Sequence, residues 1–526
     1  MTPSPLAIPT ARSPSRALRR DGVGTSALVP LGALIGTTAL ALAVEMRLLA
    51  PRPVLALATG LLVAFLVLEI RGLRRRSPAG TAWGVSPIVI ASLYTFGLAF
   101  GLTNVLFWIP GYGSTHSYAR SLDAAWLVRA ALYALVASIA MWTGFRSWLG
   151  AGLGRALWRS EWLARAVRTS PDVRWAPFWT CVALSLTARV VKVQLGFYGV
   201  LGNAVGVGGT FRQLLNYGDN LGLVALIGLS STVFSRAAPP PSLRLLLLGL
   251  LVNECLWGAL AADKSNTVLP VVIAGLIYYW HRGKVPLRFV GIGAMLLAGS
   301  FLVLMPLRRM ARQGISVNVQ SVGGLTDALM TASSAELLQG TADEGATNDL
   351  GQAILERVNE TEIAALALRY HDGHPDDPVP ESLAEEVAFA PAYTLIPRAL
   401  WPSKPRSQSV GRWFYLSVLG GKSETTLAGP TMIGYLNFAG GLLAVALGFA
   451  FLGVVQRGVH DRFVYGAGGG ALLIVMGLLG TIGRIPSQFT YIVALPFRLI
   501  PLLLLVQFVM FQPSRRAPLA PELPPP

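Results

Sequence analysis

Apolar residues in this chain gather into long runs separated by short polar stretches. Twelve runs lie at about 27–45, 53–70, 86–109, 125–145, 176–196, 219–235, 245–262, 266–281, 288–306, 430–455, 464–482 and 489–511. A helix needs about 20 residues to cross the hydrocarbon core of a bilayer, and most of these runs approach that length. The pattern therefore predicts an all-α polytopic membrane protein of about 12 transmembrane helices. Ala262-Asp263-Lys264-Ser265-Asn266 barely separates the seventh run from the eighth, which predicts a tight helical hairpin.

The polar stretches divide the chain further. Residues 1–25 are Pro/Ser-rich and basic and read as a disordered cytoplasmic tail. Nine spans fill 26–306, three fill 430–511, and 512–526 is a Pro-rich cytoplasmic tail. Between the two sets lies the one sizeable polar segment, 307–429. Loops of more than about 15 residues usually carry function or are disordered. Here Ile354, Val358, Ile363, Leu366 and Leu368 recur at helical spacing, and His371-Asp372-Gly373-His374-Pro375-Asp376-Asp377-Pro378 reads as turns. The expectation is an ordered, partly helical cap.

Composition strengthens the membrane reading. Only 13% of residues are charged, against roughly 25% in a soluble domain. The net charge of +17 would point a soluble protein towards nucleic acid. Here the basic residues punctuate the runs: Arg71, Arg74, Arg75 and Arg76 follow the second, Arg146 and Arg155 the fourth, Arg236 and Arg244 the sixth, Arg282 and Lys284 the eighth, Arg457 and Arg462 the tenth, and Arg515 and Arg516 close the chain. Basic loops stay in the cytoplasm. Both termini are thus expected to be cytoplasmic and 307–429 external. The natural partners are the lipid bilayer and phosphate-bearing lipids, with no nucleic acid. Cys181 and Cys255 both fall inside apolar runs and suggest no disulfide framework.

Charges inside the runs are costly, about 2.5–3.5 kcal/mol each on insertion scales. Arg189 and Lys192 stand three apart on one face in the outer half of the fifth run. They either bind an anionic group, such as a lipid-linked diphosphate, or snorkel to the interface. Glu254, beside Asn253 in the seventh run, is a proton-relay or substrate group, or the ion-pair partner of Arg189 or Arg129; the pair is the better reading. Arg308, Arg309 and Arg312 leave the ninth run on the external side, against the charge trend, and arginine forks suit phosphate. There is no Gly-x-x-x-x-Gly-Lys-Ser/Thr loop for ATP, no zinc motif and no Gly-x-Ser-x-Gly elbow.

The most specific string is Pro397-Arg398-Ala399-Leu400-Trp401-Pro402-Ser403-Lys404-Pro405. It resembles the Pro-Arg-x-Leu-Trp-Pro-x-Lys-Pro motif of bacterial oligosaccharide repeat-unit polymerases, the O-antigen polymerase (Wzy-like) family. Arg357 upstream and Tyr435-Leu436-Asn437-Phe438 downstream resemble further elements of that family. The likeness covers mainly 350–455. It departs from the family pattern at Met432 and Ile433, where an acidic residue often stands, and at Ala439, which separates Phe438 from Gly440.

The resemblance implies a GT-C-like architecture and a cytoplasmic-membrane enzyme that polymerises polyprenyl-diphosphate-linked oligosaccharides for a cell-surface polysaccharide, with a flippase and a chain-length regulator as further partners. No cofactor or metal is implied, since arginines can hold the diphosphate. The expected diphosphate ligands are Arg189, Arg308, Arg312, Arg357, Arg398 and Lys404. Glu360, Glu362 and His371 are the candidate bases, ranked lower because a carboxylate on a loop helix usually lies on a solvated face. Trp401, Tyr435 and Asn437 are expected at a sugar or the interface. Two rival readings are a glycan ligase or other polyprenyl-linked glycosyltransferase, and a non-enzymatic flippase of the lipid-linked glycan.

Overall fold

A computed structural model describes residues 46–76, 95–108, 122–159, 169–195, 209–261, 264–282, 286–312, 359–389, 410–420, 429–460, 469–482 and 489–513, with a few isolated positions. The described residues are mostly helical. In chain order the longer elements are α1 (Pro51–Arg76), an irregular helical segment (Phe96–Gly101, Leu102–Trp108), α2 (Ala124–Arg146), α3 (Trp148–Arg159), strand β1 (Thr169–Val173) and α4 (Trp175–Gln194). Then come α5 (Gly209–Ser235), α6 (Pro241–Leu260), α7 (Lys264–Arg282), α8 (Leu287–Arg312), α9 (Glu360–Gly373) and α10 (Pro378–Ala388). After them follow α11 (Thr431–Val459), α12 (Gly469–Ile482), α13 (Phe489–Met510) and strand β2 (Phe511–Pro513).

Among the described residues, five helices are long and apolar enough to cross a membrane: Pro51–Glu69, Ala124–Arg146, Trp175–Gln194, Pro241–Leu260 and Thr431–Val459. Shorter apolar helices lie at Phe96–Val105, Leu287–Ser300, Gly469–Leu479 and Leu499–Met510. The chain is an all-α protein of membrane type. The expected runs coincide with helices wherever they are described, and the first, third and eleventh runs are described only in part.

Small residues set the helix approaches, as in bundles where packing rather than hydrophobic transfer drives association. A Cβ on Gly144 of α2 would lie 1.9 Å from the Ala450 carbonyl oxygen, and one on Gly453 would lie 1.9 Å from that of Met141. The two backbones therefore touch. α1 and the Phe96–Trp108 segment run antiparallel: Gly97 meets Leu66, Gly101 meets Val63, and Asn104 Nδ2 donates to Thr59 Oγ1 at 2.9 Å. That segment is wound as a π-turn followed by a 3-10 stretch. The third run is therefore not one continuous α-helix.

α4 and α5 are also antiparallel, with Gly218 against Ala188 and Gly222 against Ser185. A Cβ on Gly258 would lie 2.5 Å from Asn266 backbone, so α6 and α7 form the expected tight hairpin. β1 pairs antiparallel with β2, tying the chain before α4 to the end of α13.

One departure concerns the end of the bundle beside α9. The tenth run, 430–455, is not a straight helix. Gly440 (φ 168, ψ 35) and Gly441 (φ 64, ψ −155) interrupt α11. A Cβ on Gly448 would lie 2.7 Å from Leu436 Cδ1. Twelve residues of straight helix would span about 18 Å, so the short arm 431–439 folds back on the long arm. Only glycine adopts the positive φ of Gly441 at no steric cost.

The loop segment, expected as an ordered, partly helical cap, holds α9 and α10, and α9 packs closely against α2 and α11. Ala364, Ala365, Leu366, Ala367 and Leu368 are all buried. A Cβ on Gly434 would lie 2.6 Å from the Ala367 Cβ. Small side chains on both partners allow that proximity.

Candidate functional site

Asn359 caps α9, its side-chain oxygen accepting from the Thr361 N–H at 3.0 Å. The helix ends at Gly373, directly after His371 and Asp372, which it delivers to Arg129 in the first turns of α2 and to Phe438 on the short arm of α11. Arg129 of α2 donates to the Asp372 Oδ2 in a charge-assisted bond. The other oxygen, Oδ1, lies 3.2 Å from His371 Nδ1. With Nδ1 protonated the imidazole donates to Asp372 and leaves Nε2 as an acceptor. The His371 side chain is 34% exposed and that of Asp372 37%, so the pair can be reached from outside the protein.

Aromatic rings surround this relay. The His371 ring lies 6.0 Å from Phe438, which meets Trp413 edge-on at 5.3 Å. His374 stacks on Tyr370 at 4.1 Å with an interplanar angle of 11°, and Trp413 meets Tyr370 edge-on at 5.5 Å. Tyr370 donates from its hydroxyl to Asp377 Oδ2 at 2.9 Å. Burial and that neighbouring carboxylate push the phenol up to about 12, so it stays a donor. Arg129 in turn lies over the Trp126 and Tyr133 rings, at 5.3 and 5.6 Å. Fixed aromatic faces beside carboxylates, a histidine and an arginine suit a sugar, which offers apolar C–H faces and hydroxyls together.

The candidate bases separate on burial. Glu362 is only 2% exposed, and Glu360 beside it keeps partial exposure. Desolvation pushes the Glu360 carboxyl up to about 8. Neither lies on the open, solvated face expected of a loop-helix carboxylate, because α9 turns its first turns into the protein. His371 and Glu360 are both half-buried, whereas Glu362 is enclosed. Tyr435 and Asn437 are buried on the short arm of α11, at 0% and 1% exposure. Asn437 Nδ2, Asn359 Nδ2 and Thr361 Oγ1 are buried atoms with no hydrogen-bond partner among the described residues.

A second constellation lies among α4, α5 and α6. Arg189 Nη1 and Nη2 grip Glu254 as a fork, at 2.8 and 2.6 Å. Its Nε donates to Asp219 Oδ1 at 2.6 Å and Nη2 also reaches the Asp219 carbonyl at 3.2 Å. Lys192 Nζ donates to Asp219 Oδ2 at 2.7 Å. The two cations and two carboxylates balance, as buried charges must. The sequence pointed to the Arg189–Glu254 pair. It did not point to Asp219, which stands at the edge of the sixth run and looks like a flank. Asp372 was also missed as a partner, although its adjacency to His371 was visible.

Arg357, Arg398, Trp401 and Lys404 lie outside the described residues, and the side chains of Arg308 and Arg312 lie outside them too, although both positions fall within α8. Comparisons with protein-family models, curated proteins and solved structures give no match.

Proposed function

We propose that the chain is a membrane glycosyltransferase of the polymerase kind, which joins polyprenyl-diphosphate-linked oligosaccharide units into a cell-surface polysaccharide. The observation that carries the reading is the His371–Asp372–Arg129 relay set among aromatic rings at one end of the bundle. In the proposed step a hydroxyl at the non-reducing end of one unit attacks the anomeric carbon of the growing chain. The new C–O bond forms as the bond to the diphosphate breaks. The hydroxyl proton passes to His371 Nε2, Asp372 stabilises the imidazolium, and the polyprenyl diphosphate leaves with the electron pair. Relays of this kind contribute by positioning a base of suitable pKa within reach of the hydroxyl.

The leaving diphosphate needs cations. Arg308, Arg312, Arg357, Arg398 and Lys404 are the proposed set, acting without a metal, and Trp401 is the proposed aromatic contact beside them. Twelve spans, a GT-C-like architecture, a cytoplasmic-membrane location with both termini cytoplasmic, and an external active site belong to the same proposal. Helix direction supports the topology. α2 and the long arm of α11 both start near the His371 relay and both finish at a basic turn, where Phe145 meets Arg457 and His460.

Deletion of the gene, followed by glycan electrophoresis, tests the reading. The long-chain ladder is expected to vanish while single units still reach the surface. His371→Ala is expected to give the same pattern without loss of the protein. A ladder of unchanged length in the deletion strain would refute the polymerase. The four charges of α4–α6, three of them buried, also suit a flippase, and loss of single units from the outer leaflet would favour that reading instead.

A further inference from the structure

We propose that Arg189 and Lys192 form a binding site for the diphosphate head group of a polyprenyl lipid, with Asp219 as a resident anion that the head group displaces. The two carboxylates of this cluster are not equivalent. Glu254 has a side chain only 2% exposed and holds Arg189 through two parallel bonds. It is a permanent counter-ion that orients the guanidinium. Asp219 is 23% exposed and spreads its two oxygens across two cations, one to Arg189 Nε and one to Lys192 Nζ. A diphosphate can bridge the same two donors and brings more charge. Without Asp219 the cluster carries one excess positive charge, which a buried site does not tolerate without an anion.

The surroundings select an amphiphile. Trp257 lies 5.8 Å from the Arg189 guanidinium and Tyr198 lies 5.2 Å from Lys192 Nζ, so aromatic rings replace water around both cations. Tyr198 is locked by donating to the Trp257 carbonyl at 3.0 Å. The end of α5 that carries Asp219 also exposes Phe211, Leu214 and Tyr217. These give an isoprenoid chain an apolar surface beside the charges.

The identity of the lipid rests on the polymerase reading; the exchange of one anion for another does not. That reaction consumes two lipid-linked molecules. The acceptor reacts at the end of its glycan opposite to its diphosphate. Its head group must therefore be held a repeat unit away from His371, on other helices than those that form the relay. The Arg189–Lys192 cluster lies on α4, α5 and α6, none of which carries the relay residues, and the site is the acceptor's anchor.

The test is equilibrium binding of radiolabelled farnesyl diphosphate to the full-length protein in nanodiscs. Asp219→Asn is expected to bind about tenfold more tightly than wild type, the scale of one charge-assisted hydrogen bond no longer in competition. Lys192→Met is expected to lose about tenfold. Asp219→Ser serves the same purpose if the asparagine variant is unstable. Equal affinity in wild type, Asp219 variants and Lys192→Met would overturn the site. Farnesol should not compete, and inorganic diphosphate should compete only weakly. Equal competition by inorganic diphosphate would reassign the site to a soluble anion and overturn the lipid. Binding is read without polymerisation. Binding that follows these expectations, with an unchanged ladder in the deletion strain, would fail the polymerase alone. A lost ladder with unresponsive binding would fail the anchor alone.

Discussion

Arg129 on α2 and Asp372 on α9 are hydrogen-bonded across 243 residues of chain, and through this bond the loop helix is pinned to the bundle. The same carboxylate faces His371, so one residue both docks the helix and orients the imidazole. Asp372→Asn keeps the shape and removes the charge. It is expected to lower kcat by about 10²-fold or more, the scale of general-base assistance, with little change in KM. Arg129→Met should act on kcat in the same direction and also expose α9 to proteolysis. Single-turnover assays on the purified lipid-linked unit separate these effects. Wild-type kcat in Asp372→Asn would remove the relay from the mechanism.

The Arg189–Glu254 fork makes a prediction about stability that is independent of activity. Arg189→Met leaves Glu254 buried and uncompensated, and such a break costs about 3–5 kcal/mol. Pairing Arg189→Met with Glu254→Gln removes both charges of the fork and should recover part of that loss. Thermal melting of the two single variants and the double variant measures the coupling. Additive losses would mean that the two side chains do not meet in the folded protein.

The contact of α2 with α11 is governed by backbone proximity. A Cβ at Gly144 would meet the Ala450 carbonyl at 1.9 Å, whereas one at Gly152 has nothing within 4 Å. Gly144→Ala is expected to destabilise by about 1–3 kcal/mol through overpacking, and Gly152→Ala to be neutral or slightly stabilising. Melting temperatures in detergent compare them directly, and equal melting temperatures would contradict the packing described.

Much of this architecture was legible in the sequence, for identifiable reasons. A bilayer demands long apolar runs, so the runs mark the helices. A buried Arg189 demands a carboxylate, so Glu254 was a foreseeable partner. Asp219 was not foreseeable, because the apolar run of the sixth span begins at that position while α5 begins at Gly209. The position of α9 was hidden for a different reason. Its inward face is built from Ala364, Ala365 and Ala367, which carry little hydropathy but permit close approach. Its acidic first turn, Glu360 and Glu362, looked like a solvated face and is partly or wholly buried. The fold-back at Gly440–Gly441 left no mark in hydropathy, since glycine neither breaks an apolar run nor adds charge.

Burial of that acidic turn has a consequence for pH. Desolvation raises Glu360 from an ordinary 4.5 to about 8 in the folded protein. Between those values the folded state holds a proton that the unfolded state has released. Stability from this group is therefore full below about 4.5, declines as pH rises and is lost above about 8. The wild-type melting temperature should fall between pH 5.5 and 9 by an increment that Glu360→Gln abolishes, because the amide is neutral throughout. The variant should also be more stable than wild type at pH 9 and close to it at pH 5.5. Melting curves of both proteins across this range, recorded by tryptophan fluorescence, decide the matter. Parallel pH profiles for the two proteins would show that Glu360 ionises as freely in the folded chain as in the unfolded one.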